Sequence, residues 1–218
     1  MAPGYFVTGT DTNVGKTFVT SALARRATEL GHKVFAFKPI ETGCMLGPEG
    51  HYLGADQEQL ARAAGDWQRD DLRGLYRYPL PAAPSVAAAA ATSSIDLGLV
   101  VATARRGPEF GASFTLVEGA GGWRVPITDA ADMSNLARDL DLPVLVVARA
   151  GLGTINHTLL TIEAIQRDGL RLAAVVLSQH PDEPRPDSNR EQILRRWPGR
   201  VLILSSDPSV LEVLLPSP

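Results

Sequence analysis

The sequence predicts an α/β fold, a single domain over residues 1–218 with a mostly parallel sheet and helices on both faces. Three observations point there. Short apolar runs alternate with stretches of helical period along the whole chain. The run over 144–148 is apolar at every position and rich in β-branched side chains, as expected of a strand buried on both faces. The 218 residues are 44% apolar, enough for one sizeable core.

Taken in order, Tyr5-Phe6-Val7 reads as the first strand, and a helical pattern begins near Phe18 after a glycine-bearing loop. A second strand spans 34–37 and is closed by Lys38-Pro39. Glycines and a proline make 43–54 a loop, followed by a short helix over 55–64. Pro79, Pro81 and Pro84 punctuate the middle, before an alanine-rich helix over 85–92 and another over 95–106. Strands at 114–117, 144–148, 173–177 and 201–204 then alternate with helices at 131–140, 154–167 and 191–196. No internal repeat or second domain is visible.

Net charge is −3 with both signs interspersed, which speaks against a nucleic-acid-binding surface. Of 21 basic residues only Lys16, Lys33 and Lys38 are lysines, a hint that a compact point charge is wanted at some of them. The one cysteine, Cys44, allows no intrachain disulfide and suits a reducing compartment. Neither a signal peptide nor a membrane-spanning apolar run is present, so the sequence reads as soluble and cytoplasmic.

In open parallel sheets, ligands bind outside the C-terminal ends of the strands, so the residues that follow each strand matter most. After the first strand comes Gly9-Thr10-Asp11-Thr12-Asn13-Val14-Gly15-Lys16-Thr17, a phosphate-binding loop (P-loop) in its required context of strand, loop and helix. Helix-start N–H groups and the helix dipole attract an anion there, Lys16 reaches the outer phosphates, and the Thr17 hydroxyl suits Mg²⁺. Five residues rather than four separate Gly9 from Gly15, so the loop is a variant; a turn that merely caps a helix is the plainer alternative. Lys38–Gly43 follows the second strand, Glu118–Gly122 the third and Gly151–Thr154 the fourth. Glu118 is placed to meet Mg²⁺ directly or through water, or else to cap a helix or face solvent. Asp56 is a second acidic candidate, or simply a charge suited to a helix N-terminus. Lys38, beside Thr42, suits an anion or carboxylate partner, or else lies on the surface.

The combination of Gly9–Thr17, Lys38–Gly43, Val117–Gly122 and Gly153-Thr154-Ile155-Asn156-His157 resembles the dethiobiotin synthetases, from the N-terminus to about residue 180. The resemblance implies a P-loop NTPase-like fold, a homodimer, and a reaction joining diaminopelargonic acid, CO₂ and ATP into the cyclic urea of dethiobiotin. It implies Lys38, Lys16 and Thr12 as catalytic groups and Thr17, Asp56 and Glu118 as Mg²⁺ ligands. ATP would be held by Asn13, Val14, Gly15, Lys16, Thr17, Phe18, Asp56, Glu118, Gly119, Ala120, Gly121, Ser178 and Gln179. The substrate would meet Thr42 and, from the partner subunit, Gly151, Leu152, Gly153, Thr154, Ile155 and Asn156.

Two departures stand out. Where the family places an adenine-contacting Asn, this chain has Ser178-Gln179, and the segment from Pro181 to Pro186 aligns with nothing in the family. The match at Leu204-Ser205-Ser206, a base-contacting loop in the family, is poor. A ParA/MinD-like ATPase switch would carry a second lysine in the loop where Asp11 stands. A GTP switch would need an Asn-Lys-x-Asp motif, and no lysine follows Lys38. A cobyrinic-acid-type amidoligase would need a glutaminase domain that 218 residues cannot hold.

Overall fold

The computed structural model describes residues 2–179 and 186–216. In chain order the elements are β1 (Gly4–Gly9), α1 (Lys16–Glu29), β2 (Val34–Phe37), β3 (Ile40–Thr42), β4 (Met45–Leu46), β5 (Tyr52–Leu53), α2 (Ala55–Ala63) and β6 (Tyr76–Tyr78). There follow α3 (Pro84–Ala90), α4 (Leu97–Ala104), β7 (Phe114–Gly122), α5 (Met133–Leu140), β8 (Val144–Arg149), α6 (Thr154–Arg167), β9 (Leu172–Ser178), α7 (Pro186–Leu194) and β10 (Val201–Leu204). Six strands form one parallel sheet in the order β10-β9-β8-β1-β7-β2. The chain leaves the central β1 for the edge strand β2, returns through β7, and passes over β1 to β8. That reversal opens a crevice at the C-terminal end of β1, where such folds take their ligands.

Alternation along β1 decides the two faces of the core. Phe6 packs on one side with Met133, Leu136, Ile162 and Ile165 of α5 and α6. Its neighbour Val7 packs on the other with Val19, Leu23 and Leu60 of α1 and α2. Each such side chain, taken wholly out of water, contributes about 1.5–3 kcal/mol, and both faces of the sheet are covered as the sequence predicts. Polar residues set where helices begin. Asp132 caps α5 in a reciprocal box with Asn135, and the Asp96 carboxylate accepts from the Leu99 N–H to cap α4.

Several boundaries differ from expectation. The loop at 43–54 holds a short antiparallel hairpin, β4 against β5. Beside it, β3 and β6 pair in parallel, Ile40 opposite Tyr76. These two- and three-residue strands are too short for periodicity to betray. Glu118–Gly122 does not follow the third strand but continues it, because β7 stays paired with β1 as far as Gly9 opposite Gly122. Ser178 likewise closes β9, opposite Arg149 and Leu204. Helix α7 starts earlier than predicted, at Pro186. Most of the unalignable proline-rich segment lies outside the described residues.

Candidate functional site

The phosphate loop gets its shape from two residues with positive φ. Asn13 (φ 58°) turns the chain, and Gly15 (φ 93°) caps α1 without any side-chain cap, leaving the first amides of the helix free to face an anion. Gly15 also needs to be glycine for room, since a Cβ there would lie 2.4 Å from Ser178 Oγ. Lys16 is 7% exposed and arches back over the loop, its ammonium donating to the Asp11 carbonyl at 2.9 Å.

Under the loop sits a buried cluster of charge. Glu118 is fully buried, and its Oε1 accepts from the Thr17 hydroxyl at 2.7 Å and from Lys38 Nζ at 3.0 Å. Lys38, 6% exposed, also donates to the Asp56 carboxylate. The carboxylate alternative for Lys38 is therefore the one observed. Burial alone would lower the Lys38 pKa, but the carboxylates of Glu118 and Asp56 outweigh it and push the value up, so Lys38 is a fixed cation. Lys16 behaves oppositely. Burial dominates, Glu118 only partly offsets it, and the Lys38 charge adds to the lowering, bringing its pKa to about 8. At 3.0 Å the Lys38–Glu118 attraction is on the order of 5 kcal/mol at an effective dielectric constant near 20. Desolvating the two ions costs several kcal/mol each, so the pair contributes little to stability and calls for a chemical explanation.

The oxygens here fit Mg²⁺. Glu118 Oε2 is buried with no hydrogen-bond partner among the described residues, an acceptor oriented but unused. Thr17 Oγ1 and the Asp56 carboxylate lie around the same Lys38–Glu118 pair. No group of three or more His, Cys, Asp or Glu able to hold a metal occurs among the described residues. Mg²⁺ itself takes one or two carboxylates and completes its shell with water and phosphate.

A cavity of about 390 Å³ opens over this cluster, lined by Thr12, Asn13, Gly15, Lys16, Thr17 and Phe18, by Lys38, Ile40, Glu41, Thr42 and Asp56, and by Ala120 and Gly121. Thus the structure brings together most of the residues expected to hold nucleotide and metal, with Thr12, Lys38 and Thr42. It does not bring in Gly151–Asn156. Leu152 and Thr154 instead line a separate cleft of about 150 Å³ with Thr10, Asp11, Thr12, Val14, Arg149 and His157. Ser178 lies against Gly15, and the Gln179 N–H donates to the Leu204 carbonyl. A larger cavity, about 610 Å³, sits at the N-terminal ends of the strands around Gly4, Tyr5, Phe114 and Leu172, away from the C-terminal ends that take ligands.

The lysine count proves informative. Lys16 and Lys38 are the two buried in the site, and Lys33 lies over the Trp67 ring, 4.7 Å from its centroid. Sequence reasoning assigned nothing to Glu41 and Gln57, although Glu41 sits between Lys38 and Thr42.

The AAA domain family model matches residues 3–208. An ATP-dependent dethiobiotin synthetase BioD from Anaeromyxobacter dehalogenans (strain 2CP-C) is 43% identical over 194 residues, covering 88% of this chain and 84% of the relative. One from Mycobacterium marinum is 40% identical over 210 residues, covering 95% and 88%. Among solved structures, the Aquifex aeolicus MinC:MinD cell division protein complex superposes with a TM-score of 0.57 at 16% identity, covering 97% of this chain and 84% of that one. The signal recognition particle receptor FtsY from Elizabethkingia anophelis gives 0.56 at 12%, covering 97% of this chain and 61% of that one. Identities this low speak for the fold alone, and the fold is the P-loop NTPase type.

Proposed function

Because the chain belongs to the AAA domain family and to the ATP-dependent dethiobiotin synthetases, we propose that it carboxylates and cyclises 7,8-diaminopelargonic acid. At the coarser level it is an ATP-dependent ligase of biotin synthesis that forms C–N bonds. In the finer reading, a neutral amine of the substrate adds to CO₂ and loses a proton, leaving a carbamate. A carbamate oxygen attacks the γ-phosphorus as the bond to ADP breaks, giving a carbamic–phosphoric anhydride. The second amine attacks its carbonyl carbon, phosphate departs and the nitrogen loses a proton to phosphate or water, closing the ring.

Each step needs anions held still rather than a covalent enzyme intermediate. The α1 amides and Lys16 hold the transferring phosphoryl group, and Lys38 compensates the carbamate charge. Thr12 and Thr42 orient the reacting groups from the cavity wall. Mg²⁺ would be held by Thr17, Asp56 and Glu118, and when bound it supplies charge neutralisation at the phosphates. The reading rests on one observation above the rest: two of the chain's three lysines are buried at one cavity that opens on the phosphate loop.

A homodimer belongs to the same proposal. Within one chain Gly151–Asn156 do not line the cavity, so their role in holding the substrate's carboxylate requires a partner's copy. A cytoplasmic setting is proposed with it. A turnover assay with diaminopelargonate, bicarbonate and each nucleoside triphosphate tests the reading. ADP and dethiobiotin should appear together and only when all three reactants are present; substrate-independent ATP hydrolysis would favour a switch protein instead.

A further inference from the structure

Glu41 lines the cavity, yet the reaction just described leaves it without a part. Its side chain is 7% exposed, and both carboxylate oxygens are engaged by the backbone of α2. The Asp56 N–H donates to Oε1 at 3.0 Å and the Gln57 N–H to Oε2 at 2.9 Å. The helix has no cap of its own. Its N-cap is Gly54, which offers no side-chain oxygen where Ser, Thr, Asp or Asn is usual. Gly54 has φ −86° and ψ 97°, open to any residue, so backbone freedom does not explain it. Space does: a Cβ there would lie 2.7 Å from Glu41 Oε2 and 2.5 Å from Gln57 Oε1. Gln57, itself fully buried, donates its amide to the Lys38 carbonyl at 3.1 Å and the Tyr76 carbonyl at 3.2 Å. The first turn of α2 is therefore tied to both ends of segment 38–41, and Asp56 is delivered from that turn to Lys38.

We propose that Glu41 is a positioning residue: by capping α2 from β3, its carboxylate holds Asp56 where it meets Lys38 and the divalent cation. The proposal rests on the reading of Asp56 as a ligand of that cation.

Two variants loosen the cap differently. Glu41→Gln keeps the shape but gives up one acceptor, and Gly54→Ala keeps the carboxylate but takes its space. Amide exchange at Asp56 and Gln57 in the metal-free protein reads the cap, and Mn²⁺ binding with ADP present, followed by electron paramagnetic resonance, reads its consequence. Both variants should speed exchange at these two amides and weaken Mn²⁺ about tenfold or more, as removal of an orienting partner does. On an Asp56→Asn background, Glu41→Gln should cost less than about twofold further, because the two act through one path. Variants that lose thermal stability while Mn²⁺ affinity stays within about twofold would reduce Glu41 to a structural cap and overturn the proposal. If Asp56→Asn itself leaves Mn²⁺ affinity unchanged, the ligand role of Asp56 fails, and with it the transmitted effect. The exchange rates then report separately that the cap exists.

Discussion

The two ends of the proposed nucleotide site follow opposite plans. At the phosphate end Lys16, Lys38 and Glu118 are all less than a tenth exposed, and each is fixed by a named partner. Past β9 and β10, where the resemblance would put the base, the chain offers Ser178, Gln179, Ser205 and Ser206. Ser205 and Ser206 line a cleft of about 120 Å³ with Phe18, Ala22, Arg25, Arg26, Glu29, Leu204 and Pro208, and neither Ser178 nor Gln179 reaches it. Phe18 is nearly half exposed. Charges already desolvated and oriented need little rearrangement when a phosphoryl group is transferred, whereas the short hydroxyl of Ser178 offers less to a base edge than the Asn amide of the family.

The largest effect should come from Lys16. Replacing it with Ala removes the phosphate clamp and is expected to lower turnover by roughly a hundredfold to a thousandfold or more, with the melting temperature little changed because its charge is held at a desolvation cost. Steady-state rates and a thermal melt check this, and near-normal turnover would erase the contrast between the two ends.

Lys38→Gln should leave ATP affinity near its original value while substrate-dependent ADP release collapses. It should also cost on the order of 3 kcal/mol of stability, because fully buried Glu118 loses its cation. Binding titrations, turnover and denaturant unfolding separate these effects. ATP affinity falling as far as turnover would make Lys38 a nucleotide ligand instead.

A smaller effect is a proton taken up on binding. With the Lys16 pKa lowered to about 8, roughly half of the free protein lacks that proton at pH 8, and a bound polyphosphate chain, in ADP as in ATP, restores it. Calorimetry of ADP binding in two buffers of different ionisation heat should show an uptake of about half a proton, absent in Lys16→Gln. For folding the sign is the reverse of a lysine that gains a partner. The folded pKa lies below the unfolded one, so the penalty is full below about pH 8 and is relieved as pH rises toward the ordinary lysine value of 10.5.

The smallest effect concerns the base. One missing paired hydrogen bond is worth roughly 1–3 kcal/mol, so ATP should lead CTP, GTP and UTP by no more than about one to two orders of magnitude. Kinetics with all four decide it. A preference above roughly a thousandfold would show that Gln179 or the backbone reads the base, and the two ends would be more alike than they look.

What could be read in advance divides along the same line. The phosphate loop, strands 34–37 and 201–204 and helix 154–167 were legible because local period and glycine placement specify them. Asp56 and Glu118 were legible together only through the resemblance, because Lys38 and Glu118 meet through the pairing of β2 with β7 and Asp56 comes from α2, far apart in sequence. The pairing of β3 with β6 stayed hidden for the same reason. Glycines 119, 121 and 122 gave no alternation by which to recognise β7 extending past Glu118. Glu41 was in view beside Lys38 and Thr42, yet its partners are backbone amides, which no residue letter announces.

The contact between Ser178 and Gly15 bears on how such a site can change over generations. Position 178 is pinned on one side by Arg149 and on the other by Leu204 through the sheet, and its side chain abuts the turn that cradles phosphate. A longer amide introduced there to sharpen base choice would press first on that turn. If residue 178 meets the base, as the resemblance implies, a lineage that alters base preference there would have to re-tune the phosphate loop in the same step.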